Sequence, residues 1–196
     1  MATSLTYADV LRPCEKRYAW LYDAVLIISG SALIGLCAQA AVKLPFSPVP
    51  VTGQTFAVLM AGALLGRRRA ALCVLAYVTE GAAGLPVFAM GKSGPAALAG
   101  PTGGYLLGFV VAAYLTGLLA EKKWDRHITT TILAMLIGNI VIYAFGLIWL
   151  SCLMGPGRIV LDVGLYPFII GDVLKTLTAA IILPSGWKLL GENTGA

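Results

Sequence analysis

The sequence predicts an all-α integral membrane protein with six transmembrane helices and both termini in the cytoplasm. Of its 196 residues, 59% are hydrophobic and 12% are charged, whereas an ordinary soluble domain carries roughly 25% charged residues. Its mean hydropathy is +0.86, and its positive charges fall in short clusters between long apolar runs. This composition excludes a disordered chain, a disulfide-stapled secreted domain and a nucleic-acid-binding protein with a basic face.

Six apolar runs are predicted to cross the membrane, because a helix of about 20 apolar residues spans a hydrocarbon core of roughly 30 Å. They are residues 22–42, 54–66, 70–90, 103–120, 128–154 and 165–183. The second run is too short for a regular span. Irregular backbone within a membrane is tolerated where it faces protein or a cavity, so a binding site is expected beside this run.

The distribution of lysine and arginine predicts the orientation. Most of these residues lie before the first run, between the second and third, between the fourth and fifth, or after the sixth. The opposite side holds only Lys43, Lys92 and Arg158. The positive-inside rule then places both termini in the cytoplasm. We predict a cytoplasmic segment at 1–21, a single six-helix domain at 22–190 and a short cytoplasmic tail at 191–196, in the cell membrane.

Two connecting segments on the external side are expected to fold over the bundle. Residues 43–53 contain Pro45, Pro48 and Pro50, which prevent a continuous helix. Residues 91–104 are rich in glycine, alanine and proline. Both segments are too apolar for exposed loops, so we expect them to cap a ligand site.

The sixth run contains two ionisable residues, Asp172 and Lys175. Three residues apart on a helix, they share a face and differ in depth by about 4.5 Å. Charges at such depth are costly unless they are paired or solvated, so both are expected to face the bundle interior. They form either a salt bridge that fixes packing or one polar wall of a substrate cavity.

Other polar and aromatic residues in the runs are candidates for the same cavity. Glu80 pairs with Lys175, contacts a ligand or approaches the external caps. Asn139 and Tyr143, one turn apart, form a polar stripe or an interhelical hydrogen bond. Aromatic residues such as Tyr77 and Trp149 are either cavity walls or packing residues.

Small residues mark two further features. The glycines of GPTGGY, residues 100–105, permit positive φ and let backbone N–H groups face an anion, or they form a plain turn. Ser31, Gly35 and Ala38 form a stripe that lets another helix approach closely. That helix belongs either to this chain or to a separate subunit that docks there.

No catalytic, metal or nucleotide motif is found. Gly91-Lys92-Ser93 imitates the end of a phosphate-binding loop, but Pro86 stands where the first glycine is required. The four cysteines lie far apart, without a CxxC pair. We therefore expect no enzyme, no cofactor and no metal, and energy for uphill transport from an ion gradient or a partner ATPase.

Four segments of the sequence carry a resemblance to a known family: PFSPVPVTGQTFAVLMAGALLG, GAAGLPVFA, GPTGGYLLGF and GDVLKTLTA. They resemble segments of the BioY family, the biotin-specific membrane substrate-binding (S) components of energy-coupling factor (ECF) transporters. The resemblance implies the six-helix S-component fold and capture of biotin from the external side. It also implies assembly with a transmembrane T-component and ATP-binding-cassette ATPases.

The resemblance implies roles for individual residues as well. The matching positions are Asp172 and Lys175 in the substrate-site motif, Thr52 and Gln54 in one capping segment, Gly104 and Tyr105 in the other, and Asn139 and Tyr143 on the fifth span. We expect Asp172, helped by Asn139, to bind the ureido N–H groups of biotin. Lys175 or Lys92 would meet its carboxylate, and Tyr77, Tyr143 and Trp149 would wall its rings.

Two other classes of protein remain open. A solitary gradient-driven vitamin carrier would use Glu80, Asp172 and Lys175 as a proton relay. An intramembrane aspartyl protease would need YD and GxGD motifs. Tyr22-Asp23 and Gly171-Asp172 match these in part, but Ile169 replaces the required glycine.

Overall fold

The computed structural model describes residues 6–13 and 15–191. The start of the predicted N-terminal segment, at 1–5, and the predicted tail beyond 191 lie outside the described residues. In chain order the elements are α1 (Tyr7–Val10), α2 (Lys16–Gln39), β1 (Ala41–Val42), β2 (Val51–Thr52), α3 (Gln54–Leu65), α4 (Arg67–Ala82), α5 (Pro95–Ala99), α6 (Gly103–Ala120), α7 (Ile128–Met154), α8 (Arg158–Gly164) and α9 (Tyr166–Leu189). Two 3₁₀ turns lie at Ala89–Gly91 and Trp124–Arg126.

Four of the described helices are long and apolar enough to cross a membrane. They are α2 from Tyr18 onward, α6, α7 and α9. The other two predicted spans correspond to shorter helices: α3 has 12 residues, and α4 begins with three arginines. The prediction of a largely helical chain with several membrane spans is confirmed.

The third predicted span ends earlier than expected. Helix α4 stops at Ala82 rather than at Met90. Gly84 then adopts φ +105°, and Pro86 has no backbone N–H with which to continue a helix. The apolar run continues past this break, so hydropathy alone extended the span too far.

The first and sixth predicted spans also have different ends. Helix α2 ends at Gln39, because Ala41–Val42 pairs as a strand with Val51–Thr52. Helix α9 continues through Pro184 to Leu189, beyond the predicted end at residue 183. The apolar runs thus located the helices but not their ends.

Helix α6 lies at the centre of the bundle, packed against α3, α4 and α7. Helix α2 packs on α4, and α9 packs on α7. The approach of α3 to α6 requires glycine, since a Cβ at Gly62 would lie 2.9 Å from Ala113 O. This close packing leaves α6 buried along most of its length.

Ion pairs join several connecting segments at one end of the bundle. Arg69 pairs with Asp9 and with Asp23, each at 2.7 Å. Arg67 pairs with Glu121 at 3.2 Å. These contacts bring together segments that the charge distribution assigns to the cytoplasm.

At the opposite end, the chain between β1 and β2 folds onto α8. In the antiparallel pair, Ala41 lies opposite Thr52. Ser47, which is buried, donates to Val163 O at 2.6 Å. This proline-rich connection therefore covers the bundle rather than extending away from it.

Candidate functional site

A cavity lies between α3, α6, α7 and α9. Two covering segments lie over it, β2 and residues 85–91 of the segment that follows α4. The cavity contains about 560 Å³ free of protein atoms, part of it open to the outside. The lining residues are Val49, Pro50, Thr52, Gln54, Thr55, Phe88, Ala89, Thr102, Tyr105, Leu106, Phe109, Ile142, Tyr143, Phe168, Asp172 and Lys175.

One wall of the cavity is polar and is built around α9. Lys175 Nζ lies 3.2 Å from Asp172 Oδ1. It also donates to Thr52 O and to Thr55 Oγ1, both at 2.8 Å. Thr55 Oγ1 donates to Asp172 Oδ1 at 3.3 Å, and the hydroxyl of Tyr143 donates to Asp172 Oδ2. Both charged groups are fully partnered, which allows them to lie inside an apolar bundle.

The polar wall lies well along α9 but also reaches a covering segment, because Lys175 contacts Thr52 of β2. Lys175 follows Tyr166, the first residue of α9, by nine positions, which corresponds to about 13 Å along a helix. The side chain of Lys175 is 23% exposed and that of Asp172 is 9% exposed. Both charged groups are therefore largely shielded from solvent.

The remaining walls are mostly apolar. Phe109 and Phe168 line the cavity from α6 and α9, and Phe88 lines it from the segment after α4. The rings of Tyr143 and Phe168 lie 6.5 Å apart between centroids. Such walls suit a ligand that has an apolar body and one strongly hydrogen-bonding end.

Six of the residues singled out from the sequence line this cavity: Thr52, Gln54, Tyr105, Tyr143, Asp172 and Lys175. They come from four separate parts of the chain. The hydroxyl of Tyr105 also donates to Gly164 O at 2.8 Å, which ties α6 to α8 beside the cavity.

Two other polar residues singled out from the sequence lie elsewhere. Ser31 Oγ donates to Glu80 Oε2 at 2.6 Å, which places this carboxylate between α4 and α2 rather than beside Lys175. Asn139 lines a smaller space of about 190 Å³, which shares Thr55 and Lys175 with the main cavity. The structure therefore does not bring Asn139 to the cavity with Asp172.

The four remaining predicted site residues also lie outside the cavity lining. Tyr77 is fully buried on α4, and Lys92 is exposed. Trp149 Nε1 donates to Gly100 O at 3.0 Å, and a Cβ at Gly104 would lie 2.8 Å from Trp149 Cγ. Both Trp149 and Gly104 thus serve the packing of α6 against α7.

The predicted docking stripe faces the inside of the protein. Ser31 and Ala38 are fully buried, and a Cβ at Gly35 would lie 3.5 Å from Val87 Cβ. The stripe packs against α4 and the segment that follows it. This corrects the prediction of an open docking face in favour of the intramolecular alternative, since small residues allow close helix packing in either case.

Sequence reasoning missed Thr55 and the apolar lining. Thr55 is a polar residue in an apolar run, directly after Gln54. That position could have indicated that Thr55 faces the cavity. Phe88, Phe109 and Phe168 carry no feature that separates them from core phenylalanines. Among the described residues, no group of three His, Cys, Asp or Glu side chains is placed to hold a metal ion.

The chain is similar over most of its length to a family of transporters. The model of the BioY family matches residues 9–192. A biotin transporter BioY from Rhizobium etli is 38% identical over 168 residues, which cover 82% of this chain and 90% of that protein. A biotin transporter BioY from Thermotoga maritima is 40% identical over 157 residues, which cover 80% and 92%.

A solved structure shares the fold. The crystal structure of the S-component for biotin from an ECF-type ABC transporter matches with a TM-score of 0.78 and 28% identity, covering 89% of this chain and 95% of that chain. These similar proteins are transporters, so the prediction that the chain is not an enzyme is confirmed. The match of the family model to nearly every residue shows that the chain belongs to the BioY family.

Proposed function

We propose that this chain captures biotin from the external side of the cell membrane as the S component of an ECF transporter. The observation that carries the proposal is the cavity itself, in which a fully hydrogen-bonded Asp172–Lys175 pair lies opposite apolar walls. The names of the similar proteins, biotin transporter and S-component for biotin, support the choice of ligand.

The polar pair suits the ureido ring of biotin better than its carboxylate. A cyclic urea offers two N–H donors and one carbonyl acceptor, and Asp172 and Lys175 offer the complementary acceptor and donor. Because their charged atoms lie only 3.2 Å apart, the two residues cannot serve opposite ends of an extended biotin. The ureido ring would therefore lie against this pair, and the carboxylate would lie at the other end of the extended molecule, away from the pair.

This arrangement revises the expected roles of the two lysines. Lys175 would donate to the ureido oxygen, whereas the sequence indicated Lys175 and Lys92 as the two candidate cations for the carboxylate. Lys92 lies outside the cavity lining and is exposed. The apolar walls would cover the thioether ring and the methylene chain.

The proposal extends to topology and partners. Six membrane crossings with both termini in the cytoplasm fit the ion-paired end of the bundle, which collects Arg67 and Arg69. Energy would come from a T-component and ATP-binding-cassette ATPases, with lipid around the bundle. Exposed apolar residues along α2 and α9 are compatible with both kinds of neighbour.

Calorimetric titration of the purified chain with biotin and with a panel of other vitamins tests the ligand. We expect saturable binding of biotin and no binding of the others. Binding of a different vitamin, or of none, would contradict the proposal.

A solitary carrier is tested separately, in vesicles that contain this chain alone. Labelled biotin should not accumulate with an imposed proton gradient unless partner subunits and ATP are added. The separation of Glu80 from the Asp172–Lys175 pair favours this outcome, because Glu80 is hydrogen-bonded to α2 instead. Gradient-driven accumulation by the chain alone would favour the carrier.

A further inference from the structure

Tyr77 lies outside the cavity but joins the two segments that cover it. Gln54 Nε2 donates to the Tyr77 hydroxyl at 2.6 Å. That hydroxyl donates in turn to Val87 O at 3.3 Å. Gln54 begins α3 just after β2, whereas Val87 lies in the segment after α4. A single buried hydroxyl thus connects two distant parts of the cavity wall.

The same hydrogen bonds continue to the polar wall. Thr52 Oγ1 donates to Gln54 Oε1 at 3.1 Å, and Thr52 O accepts from Lys175 Nζ at 2.8 Å. Gln54 is only 5% exposed, so its amide needs these internal partners. A continuous set of contacts therefore runs from Lys175 to the backbone at Val87.

Gln39, at the end of α2, holds the same covering segment by further hydrogen bonds. Its Nε2 donates to Phe88 O at 3.2 Å, and its Oε1 accepts from Gly91 N at 3.1 Å. Between these two contacts, the backbone of Met90 has φ +63°, a conformation that residues other than glycine rarely adopt. Such a turn persists only where its surroundings hold it, and Gln39 supplies two of those contacts.

Phe88 is the side chain that this arrangement places over the cavity. Its ring packs edge-on against Tyr77, with centroids 5.6 Å apart and an interplanar angle of 81°. Phe88 and its neighbour Ala89 both line the cavity. Neither Tyr77 nor Gln39 does, so an effect of either residue on a bound molecule passes through its neighbours. These are Phe88 and Ala89 for both residues, and also Gln54 for Tyr77.

We propose that Tyr77 and Gln39 are positioning residues that hold residues 85–91 closed over the cavity and so slow the release of bound ligand. The inference rests on the proposed function for the identity of that ligand, biotin. The closed position of the segment can be measured without any ligand. The prediction is a change in rate of release rather than a change in what the cavity recognises.

The first test compares dissociation rates of labelled biotin. Tyr77→Phe removes only the hydroxyl, and Gln39→Leu removes only the amide contacts. We expect each variant to release biotin about tenfold faster, as the loss of one or two hydrogen bonds would give, with an association rate within about twofold of the wild type. Tyr114→Phe is the matched control, because Tyr114 is 40% exposed on α6, and it should not alter release.

The second test measures closure directly. Ala89→Cys, in a background with the native cysteines changed to alanine, places a thiol in the cavity wall at a position 8% exposed. Adding Tyr77→Phe or Gln39→Leu should speed its modification by a water-soluble thiol reagent about tenfold, again from the loss of one or two hydrogen bonds.

The inference would be overturned if both variants left the rate of thiol modification at position 89 and the rate of biotin release unchanged. A different outcome is that the variants speed thiol modification at position 89 while the wild-type protein itself binds no biotin. That outcome would contradict the proposed ligand and would still support the positioning role. The two proposals therefore fail in different ways.

Discussion

Lys175 Nζ lies 3.2 Å from Asp172 Oδ1, and both side chains reach one cavity from neighbouring turns of α9. Thr55 contacts both of them, and Tyr143 contacts the carboxylate. A molecule can displace these partners at little cost only if it supplies equivalent donors and acceptors. The pair therefore sets both the stability of this region and the chemistry of its ligand.

Removal of the lysine alone should be more damaging than removal of both charges. Lys175→Met leaves Asp172 without its counter-charge in a buried position, which typically costs about 3–5 kcal/mol. Adding Asp172→Asn should recover part of the loss, because no isolated charge then remains. Melting temperatures in detergent check this order, with exposed Lys188→Met as the control. A double variant that is less stable than Lys175→Met would contradict the account.

Ligand analogues should report which end of biotin lies against the Asp172–Lys175 pair. Replacing the ureido oxygen by an imino group, as in 2-iminobiotin, is expected to weaken binding at neutral pH by about tenfold or more. The resulting guanidinium has only N–H donors, so the acceptor for Lys175 is lost. Converting the carboxylate to an amide should change affinity much less, because that end would lie away from the pair. Competition against labelled biotin gives both values. The opposite ranking would place the carboxylate at the Asp172–Lys175 pair.

Two glycine-to-alanine substitutions should differ in their effect on stability, because one glycine lies in a close helix contact and the other faces open space. A Cβ at Gly104 would lie 2.6 Å from Phe145 O, whereas a Cβ at Gly171 meets no atom within 4 Å. Gly104→Ala is expected to destabilise the bundle by about 1–3 kcal/mol through overpacking. Gly171→Ala, within α9, should be neutral or gain up to about 1 kcal/mol of helix propensity. Thermal unfolding in detergent measures both, and equal effects would contradict the packing of α6 against α7.

The ion pairs at the other end of the bundle should make stability depend on acid pH. Burial opposes ionisation of Asp9, but hydrogen bonds from Arg69 and Thr6 outweigh it and lower the pKa of Asp9 below its ordinary value of 3.8. A carboxyl with a lowered folded-state pKa stabilises the fold above its unfolded pKa, and this contribution is lost as the pH falls through the folded pKa. The melting temperature should therefore decrease as the pH is lowered below about 4.

Arg69→Met should reduce that acid dependence and lower stability at neutral pH, because Arg69 is 14% exposed in its side chain and contacts two carboxylates. Arg68→Met is the matched control, since the neighbouring Arg68 is exposed. Melting curves of both variants at pH 7 and near pH 3 give the comparison. Equal effects of the two substitutions would show that the ion pairs contribute nothing specific.

The sequence predicted the helices better than it predicted their ends. Long apolar runs located α6, α7 and α9 because hydropathy records what a membrane requires. The break after Ala82 was missed because residues 83–90 stay apolar although Gly84 and Pro86 end the helix. A terminus of this kind depends on backbone geometry rather than on hydrophobicity.

The site was predictable where one helix carries both residues. Asp172 and Lys175 share a face by helical periodicity alone. The partner of Glu80, in contrast, is Ser31 on a different helix, and the smaller space beside Asn139 is separated from the cavity by side chains of α3 and α9. Both relationships depend on how helices pack, which spacing along the chain does not encode.

Titration of biotin into Asp172→Asn, beside Asp162→Asn as a control, tests the central claim most directly. Asp162 is exposed on α8 and lies outside the cavity lining. We predict that Asp172→Asn weakens biotin binding by about 10- to 100-fold, as expected for loss of a hydrogen bond to a charged group, while Asp162→Asn binds as the wild type does. Wild-type affinity in Asp172→Asn would contradict the account.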